Sequence, residues 1–222
     1  MRAVSRWLYL PGLGTGVRSV KGAAVGQLLS SWGHTLETVD LRVPDFRTMG
    51  PTAMVAAARA AIGGPADRAI LFGTSLGGYV AAQVAAEDPR VAAVVLYAPA
   101  LELGRLRAQR PFGTWLWEQV GWVPMRDKTE ARLRPLGVDF LHDVDRIGAT
   151  PPDIKAPLLL VHGTHDETVD VGVSRRYAAA HPEVRFLELA DGHNLFASMP
   201  TVLAETEAFL GPWLHERGAR AG

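Results

Sequence analysis

The stretch Arg68-Ala69-Ile70-Leu71-Phe72 runs directly into Gly73-Thr74-Ser75-Leu76-Gly77-Gly78, and Tyr79 to Ala86 then continues as an apolar, Ala-rich segment at helical spacing. A strand, a sharp turn and a helix follow one another without a spacer, and the turn reads G-x-S-x-G. A side chain lifted onto such a turn takes strained backbone angles, and Cβ atoms two residues to either side would collide with it, so Gly is required at both flanking positions. Ser75 is therefore expected to project above the end of the strand. The first turn of the following helix offers unpaired N–H groups and the positive end of its dipole, which favour a developing negative charge.

Outward from this turn the chain alternates short apolar runs with longer amphipathic segments. Strands are expected at Arg6 to Leu10, Thr35 to Asp40, Arg68 to Phe72, Val91 to Tyr97, Pro157 to Val161 and Val184 to Leu189. Helices are expected near Val20 to Trp32, Thr52 to Ile62, Leu76 to Ala86, Val171 to Ala180 and Thr201 to His215, the last interrupted or ended around Gly211-Pro212. This βα rhythm predicts an α/β protein, a six-stranded and mainly parallel sheet with helices on both faces. The whole chain, 1–222, reads as a single domain, with 218–222 as an unstructured tail. The connection between the fourth and fifth strands is far longer than the two to six residues usual for such loops. Residues 101–155 are therefore expected to form a small helical insertion, placed past the carboxyl end of a strand, where it can act as a lid.

Composition narrows the function. Lys plus Arg and Asp plus Glu number 23 each, giving a formal charge of zero, so the general electrostatic footprint of a nucleic-acid binder is lacking. With 48% hydrophobic residues the chain can bury a sizeable core. The absence of Cys rules out disulfides, thiolate metal sites and a cysteine nucleophile. The N-terminal apolar stretch is cut by Pro11, and the longest apolar run, Val91 to Leu101, falls short of a membrane span. The expectation is a cytoplasmic protein, monomeric or weakly dimeric, with no nucleic-acid partner.

A serine hydroxyl needs a histidine to take its proton and a carboxylate to orient that histidine. After the fifth strand comes His162-Gly163-Thr164-His165-Asp166-Glu167, and after the sixth Ala190-Asp191-Gly192-His193-Asn194. Asp166 and His193 thus leave successive strand ends toward the same rim as Ser75, in the order Ser, acid, His. Asp170 reads as the cap of the helix beginning at Val171, and Asp191 is too near His193 in sequence to reach its far ring nitrogen. His162 reads as a hydrogen-bonded turn residue. His162 and His165 beside Asp166 share no common ligand face on a loop, so no metal is expected. The oxyanion donors expected are the backbone N–H of Leu76 and that of Leu13, in the Gly-rich turn Pro11-Gly12-Leu13-Gly14-Thr15-Gly16. Its G-x-G-x-G spacing departs from the dinucleotide fingerprint, and no cofactor is expected.

Ser75 in its turn, Asp166 and His193 together resemble the α/β-hydrolase superfamily over essentially the whole chain. Leu8-Tyr9-Leu10 with its Gly turn, Ser19, Lys21, Asp40-Leu41-Arg42-Val43-Pro44 and His142-Asp143 make the chain similar to the small bacterial YqiA-like esterases. The resemblance implies a minimal α/β-hydrolase fold and a cofactor-free serine hydrolase, with carboxylic esters or acyl thioesters as its small-molecule substrates. Pro11-Gly12 stands where the superfamily usually has His-Gly, so Pro11 is expected to brace the oxyanion turn through its fixed φ. Phe112, Trp115, Trp117 and Trp122 in the insertion are expected either to line an acyl pocket or to form a satellite core under the lid. The same three side chains also serve perhydrolase, haloperoxidase or carbon–carbon bond hydrolysis chemistry, and a non-catalytic ligand-binding member of the fold is a further alternative.

Overall fold

The computed structural model describes residues 4–16, 19–147 and 150–215; the expected tail at 218–222 lies outside the described residues. Six strands form one sheet: β1 (Arg6–Leu10), β2 (Leu36–Thr38), β3 (Ala69–Thr74), β4 (Val91–Tyr97), β7 (Leu158–Gly163) and β8 (Arg185–Leu189). Their order is β2-β1-β3-β4-β7-β8, and every pairing is parallel. The helices are α1 (Val20–Ser31), α2 (Pro51–Ala61), α3 (Leu76–Glu87), α4 (Leu106–Gln109), α5 (Pro111–Val120), α6 (Asp139–Ile147), α7 (Val171–Ala180) and α8 (Met199–Leu214).

Side-chain alternation along the strands divides the core in two. In β1, Leu8 and Leu10 face the layer containing Met54 and Ala58 of α2 and Val80 of α3, and in β3 Leu71 joins them. Trp7 and Tyr9, with Ile70 and Phe72 of β3, face the opposite layer, which holds Val25 and Leu29 of α1 and Leu210 and Trp213 of α8. Every residue of β3 and β4 is buried, as a parallel sheet covered on both faces requires.

Two expectations are corrected. The last helix is continuous through Gly211 and Pro212. Pro212 costs one hydrogen bond near the helix end, but Leu210, Trp213 and Leu214 are buried, and burying large apolar side chains contributes about 1.5–3 kcal/mol each. The insertion is not wholly helical. Besides a 3-10 turn (Leu103–Arg105) and helices α4 to α6, it contains an antiparallel hairpin of β5 (Trp122–Asp127) and β6 (Arg132–Gly137). Proline in a run argues against a strand, yet Pro124 and Pro135 face each other across this two-stranded ribbon, which has free edges on both sides.

The insertion is joined to α2 by a helix cap supplied from a distance. The N-cap of α2, Gly50, has no side chain to bond the first turn. Asp143 of α6 does so, accepting from Thr52 N–H and Thr52 Oγ1, both at 2.7 Å. A Cβ on Gly50 would stand 2.7 Å from Asp143 Oδ2, so the cap is possible because residue 50 is Gly.

Candidate active site

Ser75 sits between β3 and α3 at φ 53° and ψ −118°, a conformation that L residues avoid. Packing enforces it. A Cβ on Gly73 would lie 2.6 Å from Gly77 O, and one on Gly77 would lie 2.1 Å from Leu10 O. Gly78, to which the sequence assigned no role, is equally constrained, since a Cβ there would lie 2.6 Å from Pro99 Cβ. The Ser75 carbonyl accepts from Gly78, Tyr79 and Ala100 N–H groups, which pin the turn to the sheet.

Asp166 and His193 are brought together by the ends of β7 and β8. His193 Nδ1 lies 2.7 Å from Asp166 Oδ2. The two loops approach closely because residue 163 is Gly, where a Cβ would stand 2.3 Å from Asp191 O. Thr164 N–H and His165 N–H donate across to Leu189 O and Asp191 O. Asp170 caps α7, accepting from Gly172 N–H. Asp191 braces its own turn, accepting from Gly192 and Ser198 N–H groups at 2.7 and 2.8 Å.

The structure corrects the reading of His162. It lies within β7 rather than in a turn, is completely buried, and places Nε2 3.0 Å from Asp166 Oδ2. Nε2 also faces Val169 O at 3.0 Å, and Nδ1 lies 2.7 Å from Ser174 Oγ. Nε2, facing two oxygen acceptors, therefore carries a hydrogen and donates. Burial opposes ionisation of Asp166, but bonds from His162 and His193 and from the Val169 and Thr168 N–H groups outweigh it and hold the carboxyl well below its usual range. The four-residue spacing to Asp166 carries no signal outside a helix, so the sequence did not reveal this second histidine. Among the described residues, no group of His, Asp and Glu is arranged to hold a metal ion.

Ser75, Asp166 and His193 line one cavity of about 1270 Å³. The Ser75 hydroxyl and His193 are not hydrogen-bonded in this structure; the cavity unites them, whereas Asp166 and His193 are in direct contact. Leu13 and Leu76 also line it, and their N–H groups have no acceptor among the described residues. The Gly-rich turn lies against the serine, for a Cβ on Gly12 would stand 3.3 Å from Ser75 Cβ. Of the four insertion aromatics, Trp117 reaches the cavity, stacked on Phe140 with ring centroids 5.9 Å apart. Phe112, Trp115 and Trp122 are exposed and do not line it. Helical geometry explains the division: α5 turns Thr114 and Trp117 inward, three residues apart, and presents Phe112, Trp115 and Leu116 outward.

Lys21, in the first turn of α1, is buried beside these groups, and its ammonium donates to His193 O at 3.1 Å. Burial lowers its pKa from 10.5 to about 8, Asp166 and Asp191 opposing and Lys128 reinforcing the shift. Because the folded value is depressed, the unfolded chain binds more protons between about pH 8 and 10.5, and stability contributed here rises with pH across that window. Lys21→Met is expected to abolish this rise. At neutral pH it removes a desolvation cost of up to about 3 kcal/mol and loses a hydrogen bond of about 1 kcal/mol. A net gain of about 1–2 kcal/mol, read by urea unfolding at pH 7 and pH 10, is the expected result.

A family model described as serine aminopeptidase, S33, matches residues 33–133, under half of the chain; the match includes Ser75 and ends before Asp166 and His193. No curated protein matches the sequence. Among solved structures, alpha/beta hydrolase domain-containing protein 10 from mouse is 19% identical with a TM-score of 0.77, covering 96% of this chain and 92% of its own. Est1E from Butyrivibrio proteoclasticus is 15% identical with a TM-score of 0.75, covering 96% and 90%. A monoacylglycerol lipase from Paleococcus ferrophilus is 16% identical with a TM-score of 0.69, covering 94% and 97%. With a wound parallel sheet whose third strand ends in a strained serine turn, and with these likenesses over nearly its whole length, the chain is an α/β-hydrolase-fold protein.

Proposed function

We propose that the protein is a serine hydrolase that cleaves carboxylic esters or acyl thioesters through Ser75, His193 and Asp166. The observation that carries this reading is the 2.7 Å contact of His193 Nδ1 with a buried, ionised Asp166, in the cavity that also contains the strained Ser75. In the proposed reaction Ser75 Oγ attacks the acyl carbon while His193 Nε2 takes its proton. Asp166 stabilises the imidazolium, and the Leu13 and Leu76 N–H groups hold the oxyanion. His193 returns the proton to the leaving alcohol or thiol. Water, deprotonated by the same nitrogen, then attacks the acyl-enzyme and releases the acid. The apo geometry is compatible with this sequence, since catalytic hydrogen bonds often tighten only when substrate is bound.

The acyl group is assigned to the apolar side of the cavity, formed by Leu103, Leu106, Trp117, Phe140 and Val173. An apolar wall selects coarsely, with about 1–3 kcal/mol per methylene. Among the described residues, no helix is long and apolar enough to cross a membrane, and the reading is of an enzyme acting on small molecules in the cytoplasm. The test is labelling with a fluorophosphonate, followed by a chain-length series of p-nitrophenyl esters and acyl thioesters. Label mapping to Ser75 and absent from His193→Ala is expected; undiminished labelling of that variant would falsify the reading.

A further inference from the structure

The cavity has a charged side that the proposed reaction does not use. Lys21, Arg126 and Lys128 line it, and none of them forms an ion pair among the described residues. Most arginines elsewhere are bonded to carboxylates, as Arg59 is to Glu87, Arg107 to Asp145 and Arg175 to Glu188, while Arg47 and Arg68, away from the cavity, have no ion pair among the described residues. Arg110 is also without an ion pair, but it belongs to the α4–α5 junction beside the apolar wall. The cavity's carboxylates are engaged by other groups. Glu102 is held by Arg105 and Arg176, and Asp166 by the two histidines. Asp170 is held by α7, and Glu167 Oε2 faces His193 N–H at 3.4 Å.

The hairpin is constructed to carry its cations to this place. Lys128 N–H donates to Gly14 O at 2.7 Å, and Thr129 Oγ1 donates to Thr15 O at 3.2 Å. Gly14 and Gly16 have φ of 71° and 54°, and Cβ atoms there would stand 2.3 Å from Arg126 O and 2.2 Å from Thr129 Oγ1. The ribbon end is thus fastened to the loop that carries Leu13. Asp127 turns inward, completely buried, and accepts from Thr129 and Glu130 N–H groups, which leaves its neighbours Arg126 and Lys128 facing outward into the cavity mouth. Lys21 lies deeper, 5% exposed, and close enough to Lys128 for the two to repel. Asp166 and Asp191 offset part of the cost of burying this ammonium, and a further anion placed between it and Lys128 offsets more.

We infer that Lys21, Arg126 and Lys128 form a subsite for a carboxylate or phosphate group on the leaving half of the substrate, which joins an apolar acyl chain to an anionic alcohol or thiol. The inference rests on the hydrolase reading above. One water is added across the acyl C–O or C–S bond: the acid leaves from the apolar side, and the anionic alcohol or thiol, carrying the proton from His193, leaves over the hairpin.

The test compares three matched esters: neutral methyl 4-octanoyloxybenzoate, 4-octanoyloxybenzoate and 4-octanoyloxyphenyl phosphate. Each is assayed with the wild type and with Arg126→Gln/Lys128→Gln, both substitutions being at exposed positions. The ratio of kcat/KM for an anionic ester to that for the neutral one is expected to fall about tenfold in the double variant. The anion showing the larger fall identifies the source, carboxylate or phosphate. Ratios that stay within about twofold for both anions overturn the subsite. If no ester is turned over, the same three esters are titrated calorimetrically into Ser75→Ala protein, with and without the double substitution. A preference for an anion that the substitutions remove upholds the subsite and discards the hydrolase reading; equal affinities for charged and neutral esters overturn the subsite.

Discussion

Ser75→Ala is expected to lower kcat for a p-nitrophenyl ester by about a million-fold, the order reached when the nucleophile of such a triad is removed. In the proposed mechanism the residual rate is that supplied by the oxyanion donors and by substrate positioning. The fold should survive, because the strained turn is imposed by Gly73 and Gly77 and by the hydrogen bonds to the Ser75 carbonyl, none of which involves the hydroxyl. Ser75→Gly separates the two effects. It should be equally inactive but more stable than the wild type by about 1 kcal/mol or more, since Gly occupies φ 53° without strain. Turnover and urea midpoints of the three proteins check both statements. An alanine variant with near wild-type kcat removes Ser75 from the mechanism, and an unstabilised glycine variant removes the argument about strain.

Asp166→Asn should lower kcat by about ten-thousand-fold while leaving KM little changed, because the amide no longer orients His193 or stabilises its charged form. Asp166 accepts from both His162 and His193 on the same oxygen, and among the described residues no other carboxylate bonds the His193 ring. The substitution also alters acid stability. The folded Asp166 pKa lies below its unfolded value. Its ionised form therefore stabilises the native state above the usual carboxyl range near pH 4, and that contribution is lost as pH falls toward the folded value. Unfolding midpoints of wild type and variant should differ by a constant amount from neutral pH to about pH 4, and converge below. A gap unchanged by acid would show that the carboxylate adds no stability by being ionised.

The parts of the fold that were legible in the chain are those governed by local rules. β1, β4 and α7 occur where their residue patterns place them, because strand alternation and helical spacing each reflect burial on a face. The turn at Ser75 was equally legible, since two glycines flanking a serine have a steric reason that needs no partner. The β5–β6 hairpin was not legible: Pro124 and Pro135 both argue against strands, and only their cross-strand pairing makes them compatible. The buried role of His162 was hidden for a related reason, as its neighbours in sequence say nothing about Ser174 Oγ, which lies on another element.

Phe112, Trp115, Trp117 and Trp122 look alike in composition and stand close together in the chain, yet only the direction of α5 brings Trp117 to the cavity. The reach of Lys21 to the His193 carbonyl, and of Asp143 to the first turn of α2, is equally absent from any local pattern. By itself the chain determined the alternation of strands and helices, the serine turn and the order of its candidate acid and base, because these depend on periodicity and on the excluded volume of neighbouring residues. Which side chains are buried together, which histidine bonds which oxygen, and which cations face the cavity were decided by the tertiary structure alone, because burial and hydrogen bonding join groups that the backbone keeps far apart.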